Sequence, residues 1–62
     1  LALLTALAAA AGAPSPRLLA QRLLLLVEGA TVLAQVLGGR EAARHARDTA
    51  ALLLRQMLPP AT

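Results

Sequence analysis

The sequence has no cysteine and no aromatic residue, and its one histidine is His45. Disulfides are therefore excluded as a source of stability, and a lone histidine cannot build a zinc site. Without aromatic side chains to stack on bases, and with a net charge of only +3, the chain offers little support for a nucleic-acid surface. Lysine is absent too, and this all-arginine bias can reflect GC-rich coding as easily as a physical demand.

Patterns typical of catalysis are also missing. No nucleophile and base, glycine-rich phosphate loop or carboxylate dyad occurs at a useful spacing. The spacing of Glu41, His45 and Asp48 puts them on one helix surface, but it is also the spacing of ordinary salt bridges. The arginines around them form a basic strip typical of a mixed solvent face. We therefore expect no enzyme, no cofactor and no metal.

Leucine and alanine are abundant, and 58% of the residues are hydrophobic. Turn-forming residues interrupt this apolar background at positions 12–16, 38–39 and 59–60. These breaks predict three helices, over about residues 1–11, 15–37 and 40–58. Because the chain opens at Leu1 inside an apolar run, we expect it to be a C-terminal fragment and the first helix to be the end of a longer one.

Residues at the breaks carry recognisable helix signals. Ser15 is expected to cap the free amides of the second helix, and Pro16 fits its first turn. Gly38 is expected to end that helix in the left-handed conformation, with Gly39 freeing the chain to reverse. A connection this short favours antiparallel neighbours, so we expect an all-α chain built around an antiparallel helical hairpin.

The second helix is apolar on most of its surface. Its polar positions fall in one narrow stripe, interrupted by Leu24: Arg17, Gln21, Glu28, Thr31 and Gln35. The third helix divides more evenly into an Ala/Leu/Met face and a charged face. A chain of 62 residues builds only a marginal core alone, so we expect both long helices to pack against other helices.

Glu28 is the main candidate for a ligand contact. A carboxylate near the middle of a largely buried helix needs a partner. With Leu24, Thr31 and Gln35 it would form one wall of a pocket for a small apolar or amphipathic effector. The alternative is a wetted stripe, or an ion pair with an arginine of a neighbouring helix.

The second helix is also long enough for a membrane span. Its charged side chains offset the gain from its leucines and valines, and the charged third helix cannot follow it into a bilayer. The run ending in Ala11-Gly12-Ala13 imitates a signal peptide but has no basic segment before it. We therefore expect no membrane partner and a cytoplasmic protein, with a membrane-associated or exported peptide as the less favoured alternative.

From Pro14 to Leu54, the sequence resembles the C-terminal end of the TetR family of bacterial transcriptional repressors. In that family a proline-flanked helix start leads to a Leu-rich helix, a Gly turn and an Ala/Arg-rich last helix. The residues that carry the resemblance are Ser15-Pro16, Ala20, Leu23, Glu28-Gly29-Ala30, Ala34, Gly38, Ala43-Arg44, Ala46-Arg47, Ala50 and Leu53.

The resemblance implies that residues 1–62 are part of a helical ligand-binding and dimerisation domain. The last two helices of each protomer would form half of an intermolecular four-helix bundle, and a helix-turn-helix outside this sequence would bind operator DNA. The residues that match the dimer contact are Gly29, Ala30, Leu33, Ala43, Ala46, Ala50, Leu53 and Met57. The alternative is a structural helical hairpin from an unrelated assembly, and the sequence upstream of Leu1 would separate the two.

Overall fold

The computed structural model describes residues 1–60, and this part of the chain consists of three helices without a strand. Helix α1 spans Ala2–Ala10, α2 spans Pro16–Leu37 and α3 spans Gly39–Met57. The predicted all-α class is confirmed, and each helix boundary lies within one residue of the predicted one. Helix α2 packs against both α1 and α3.

Helix α1 ends in a hydrogen-bonded turn centred on Gly12. Gly12 has a φ of +87°, a conformation that side-chain-bearing residues rarely adopt. Its N–H donates to the carbonyl of Ala9, and the N–H of Ala13 donates to the carbonyl of Ala8, both at 3.0 Å. This pair of bonds is the Schellman arrangement, which satisfies carbonyls that a helix end leaves free.

The start of α2 differs in one detail from the prediction. Pro16 occupies the first turn as expected, but the Ser15 side chain makes no capping hydrogen bond. The Ser15 backbone, with ψ of 73°, departs from the extended geometry in which an N-cap side chain reaches back to the first amides. Ser15 contributes its carbonyl instead, which accepts from the Leu19 N–H at 3.0 Å.

One residue makes the turn between α2 and α3. Gly38 has φ 91° and ψ 154°, so its φ is positive as predicted, but its ψ is extended rather than left-handed helical. Its N–H donates to the Ala34 carbonyl at 2.9 Å, and its carbonyl accepts from the Ala42 N–H at 3.1 Å. Gly39 is already the first residue of α3, so the chain reverses with a single non-helical residue.

The small core lies at the end of the hairpin where α1 joins it. Leu19, 1% exposed, is its largest fully buried side chain, and it clusters with Ala8 and Ala13. The partly buried residues packed against this cluster are Leu23, Leu53, Met57 and Leu58. Towards the other end of the hairpin, Ala42 is 2% exposed, because a methyl group lets the two helices approach closely.

The molecule is flat. Its principal-axis extents are 36 × 26 × 12 Å, and its thickness equals about one helix diameter. The three helices therefore form a single layer, whereas stable domains usually bury apolar faces between two or more layers. Both broad faces of the α2–α3 hairpin are left open by this arrangement.

Candidate functional site: the open faces of the helical hairpin

Helix α2 carries an exposed apolar stripe along one side of the helix. Its members follow one another at intervals of seven, four, three and four residues, which places them on one side of a helix. We call these residues the outer stripe: Leu18, Leu25, Gly29, Val32 and Val36. Leu25 is 72% exposed, Val32 66% and Val36 77%. The apolar surface that the sequence predicted for the second helix is thus present, and the described residues of the chain leave much of it uncovered.

Gly29 lies in the middle of the outer stripe. A Cβ atom built on it would meet no other atom within 4 Å, so the residue is not needed for packing within the described chain. In a helix interior, glycine costs about 1 kcal/mol relative to alanine. Because Gly29 has no side chain, another helix could come close to the backbone of α2 at this point of the exposed apolar surface.

One side of the hairpin holds an open groove of about 540 Å³ between α2 and α3. The described residues that line it are mostly apolar, with three polar side chains and no carboxylate. We call it the first groove; it is lined by Arg22, Leu25, Leu26, Gly29, Ala30, Leu33, Ala42, His45, Ala46, Thr49 and Leu53. Leu25 and Gly29 belong to the outer stripe as well, so stripe and groove form one continuous apolar surface.

Arg22 stands at one end of the first groove. Its Nη1 donates to the Met57 sulfur at 3.6 Å, and a thioether is a weak acceptor. No described carboxylate pairs with this guanidinium, whose side chain is exposed. Arg22 therefore keeps most of its donors available at the edge of an apolar surface.

The opposite side of the hairpin has a second groove of about 500 Å³, with smaller side chains. Its lining is rich in alanine: Leu23, Leu26, Val27, Ala30, Thr31, Ala34, Gly39, Ala42, Ala43, Ala46, Arg47 and Ala50. Arg47 is its one charged lining residue among those described, and the Arg47 Nε lies 3.3 Å from Asp48 Oδ1. Since both side chains are more than 70% exposed, this ion pair adds little stability.

The structure does not gather the predicted effector-binding residues into a cavity. Leu24, Glu28, Thr31 and Gln35 are all exposed along α2. Only Thr31 lines a groove, the second, and its hydroxyl donates to the Val27 carbonyl at 3.0 Å. The expectation that Glu28 is a buried charge is not met within the single chain, because a one-layer hairpin covers only one side of α2.

In the single chain, most residues predicted to contact a partner are half-buried between α2 and α3. Six of them are half-buried there: Ala30, Leu33, Ala46, Ala50, Leu53 and Met57. The other two, Gly29 and Ala43, are exposed. Within the single chain, α2 packs against the apolar face of α3 that the sequence predicted. The contact with a partner stays a prediction.

The charged face of α3 is solvent-exposed as predicted. Within residues 1–60, no group of three or more histidine, cysteine or acidic side chains is placed to hold a metal ion. His45 is exposed and lines the first groove, although the sequence placed it with Glu41 and Asp48. Spacing along one helix could not reveal that role, because the groove needs α2 as its second wall.

Among the described residues, α2 is long and apolar enough to cross a membrane by length and composition. Only 11% of its apolar 18-residue stretch is buried, so the helix lacks the cover of a typical soluble core helix. Core helices of soluble proteins and signal sequences can have the same length and apolar composition. The observation supports a need for an apolar environment without identifying it.

Together, the fold and the site define a one-layer helical hairpin with an open apolar face. Comparisons with protein-family models, curated proteins and solved structures find no match for the chain.

Proposed function

We propose that this chain is the dimerisation and small-molecule-sensing part of a TetR-like transcriptional repressor in the cytoplasm. In this proposal α2 and α3 of two copies form a four-helix bundle. Operator DNA is bound by a helix-turn-helix encoded upstream of Leu1. The support is the TetR-like pattern between Pro14 and Leu54, together with a hairpin whose apolar face lacks a second layer.

The observation that carries the dimer is the amount of exposed surface. The chain has an accessible surface of 4597 Å² at a mass of 6.3 kDa. A compact monomer of that mass exposes about 3700 Å². The excess, about 900 Å², is close to the roughly 800 Å² that each partner buries in a protein interface of standard size. A second copy would cover this excess surface, because two copies can bury the same apolar face against each other.

The outer stripe is the part of this surface best suited to another copy. None of its five members is charged, and Arg22 lies beside it between Leu18 and Leu25. The open space at Gly29 allows the partner helix to approach closely at the centre of the contact. Val32 and Val36 on one side of Gly29 and Leu25 on the other then pack against the partner.

A pair of adjacent substitutions tests the dimer. Val36→Glu places a charge in the outer stripe, whereas Gln35→Glu places the same charge one position away on the polar stripe. Sedimentation equilibrium of the chain should give a dimer for the native sequence and for Gln35→Glu, and a monomer for Val36→Glu. Gly29→Leu should also weaken the dimer, because its side chain holds the helices apart. A native chain that stays monomeric at high concentration contradicts the proposal.

The regulatory part of the proposal has a separate test. The coding sequence upstream of Leu1 should specify a helix-turn-helix within about 200 residues. The encoded full-length protein should bind its operator as a dimer and lose affinity when Val36→Glu is introduced. An upstream region without a helix-turn-helix contradicts this role and favours a structural hairpin from an unrelated helical assembly.

The exposed apolar surface of α2 also supports a second candidate, a membrane-associated peptide. The chain would then partition into neutral phospholipid vesicles and remain with them after flotation. Recovery of the chain in the aqueous fraction, as a dimer, removes this candidate.

A further inference from the structure

We propose that the first groove binds an amphipathic carboxylate, with the head group on Arg22 and the apolar tail lying between α2 and α3. This inference rests on the proposed sensing function, since it names the chemical class of the effector. It moves the effector site from the exposed stripe at Glu28 to the groove. The groove combines apolar walls with the guanidinium of Arg22, which suits such a ligand.

The size and lining of the first groove match an alkyl chain. Its volume of about 540 Å³ falls within the range of small-molecule sites. From Arg22 to Leu33 the groove follows twelve residues of α2, a length of about 16 Å. This length suits a medium-chain alkyl group, and the lining leucines outside the outer stripe, Leu26, Leu33 and Leu53, provide its contacts. The small side chains of Ala30 and Ala46 keep the middle of the groove open.

The charge pattern selects the sign of the head group. Arg22 and His45 line the first groove, and no described lining residue is acidic. The one hydrogen bond described for the Arg22 guanidinium goes to a thioether, so the group can offer two parallel N–H donors to a carboxylate. A cationic amphiphile would meet no opposite charge in this lining. The groove therefore favours an anionic head over a neutral or positive one.

The second groove is less suited than the first to bind an amphipathic carboxylate. Its cation, Arg47, already lies beside Asp48, so it is less available to an added anion. Its walls are mainly alanine, which gives an alkyl chain less apolar area to contact. The same fold thus presents two grooves of similar volume, of which only the first combines large apolar side chains with an arginine free of described carboxylates.

The test is a calorimetric titration of the chain with dodecanoate below its micelle-forming concentration. Dodecyltrimethylammonium, which has the same tail and the opposite charge, serves as the matched ligand. We expect dodecanoate to bind more tightly. Arg22→Gln should weaken dodecanoate binding about fivefold, the effect of losing one exposed ion pair. Arg17→Gln removes an equal charge from the same helix outside the groove and should leave the affinity unchanged.

Two outcomes overturn the inference. One is equal binding of the two amphiphiles, and the other is an equal loss of affinity in Arg17→Gln and Arg22→Gln. Circular dichroism of each variant verifies that it remains helical. Sedimentation separates this inference from the proposed dimer: a monomeric chain with Arg22-dependent binding contradicts only the dimer. A dimer that binds dodecanoate no better than the cation contradicts only the groove assignment.

Discussion

At the residue scale, Gly38 and Gly39 are neighbours with opposite conformational demands. Gly38 has a φ of +91° and an extended ψ, a combination essentially restricted to glycine. Gly39 is helical, and a Cβ built on it meets nothing within 4 Å. The two positions therefore form a natural pair for testing the turn.

We predict that Gly38→Ala lowers the free energy of unfolding by about 1–3 kcal/mol, because alanine is strained in that conformation. Gly39→Ala should raise it by about 0.5–1 kcal/mol, since alanine reduces the entropy of the unfolded chain and suits a helix. Urea unfolding followed by circular dichroism measures both. Equal effects of the two substitutions would show that the turn is not made at Gly38.

The sequence predicts such local features unevenly. Proline at the start of α2 and a positive φ at Gly38 follow from covalent geometry, so both could be read directly. The missing Ser15 cap could not, because it depends on the ψ of one residue in a turn shaped by packing around Ala13. The sequence left open whether Glu28 is exposed on a wetted stripe or lines a pocket, because this depends on which side of α2 the rest of the chain covers.

At the scale of the helices, the small core depends on Leu19. This side chain on α2 is 1% exposed and clusters with Ala8 and with Ala13, beside the partly buried Met57 of α3. Hydrophobic periodicity predicted that both long helices have apolar faces, which is confirmed. It did not single out Leu19 among the many leucines of α2, since the position of α1 decides which leucine becomes buried.

We predict that Leu19→Ala lowers the free energy of unfolding by about 2–5 kcal/mol, the cost of emptying a buried leucine site. A single core in a chain this short supplies only about 3–5 kcal/mol, so the variant should be largely unfolded. Leu3→Ala is the matched control on α1, because Leu3 is 73% exposed and its change should cost less than about 0.5 kcal/mol. Thermal unfolding of the two variants should separate them clearly; similar midpoints would contradict the described core.

At the scale of the whole molecule, the main feature is the flat shape, which the sequence predicted only in part. Composition and length predicted dependence on other helices. The radius of gyration of 12.5 Å exceeds the roughly 10.5 Å of a compact chain of this length. This larger radius reflects the missing second layer of helices. The sequence could not say which face stays open, because the Ala/Leu/Met face of α3 is equally suited to α2 and to a partner.

The central claim is that a second copy covers the outer stripe, and sedimentation equilibrium of the chain tests it most directly. The account predicts the mass of two 6.3 kDa chains for the native sequence and for Gln35→Glu. It predicts the mass of one chain for Val36→Glu under the same conditions. A native chain that sediments as a folded monomer at every accessible concentration would contradict the account.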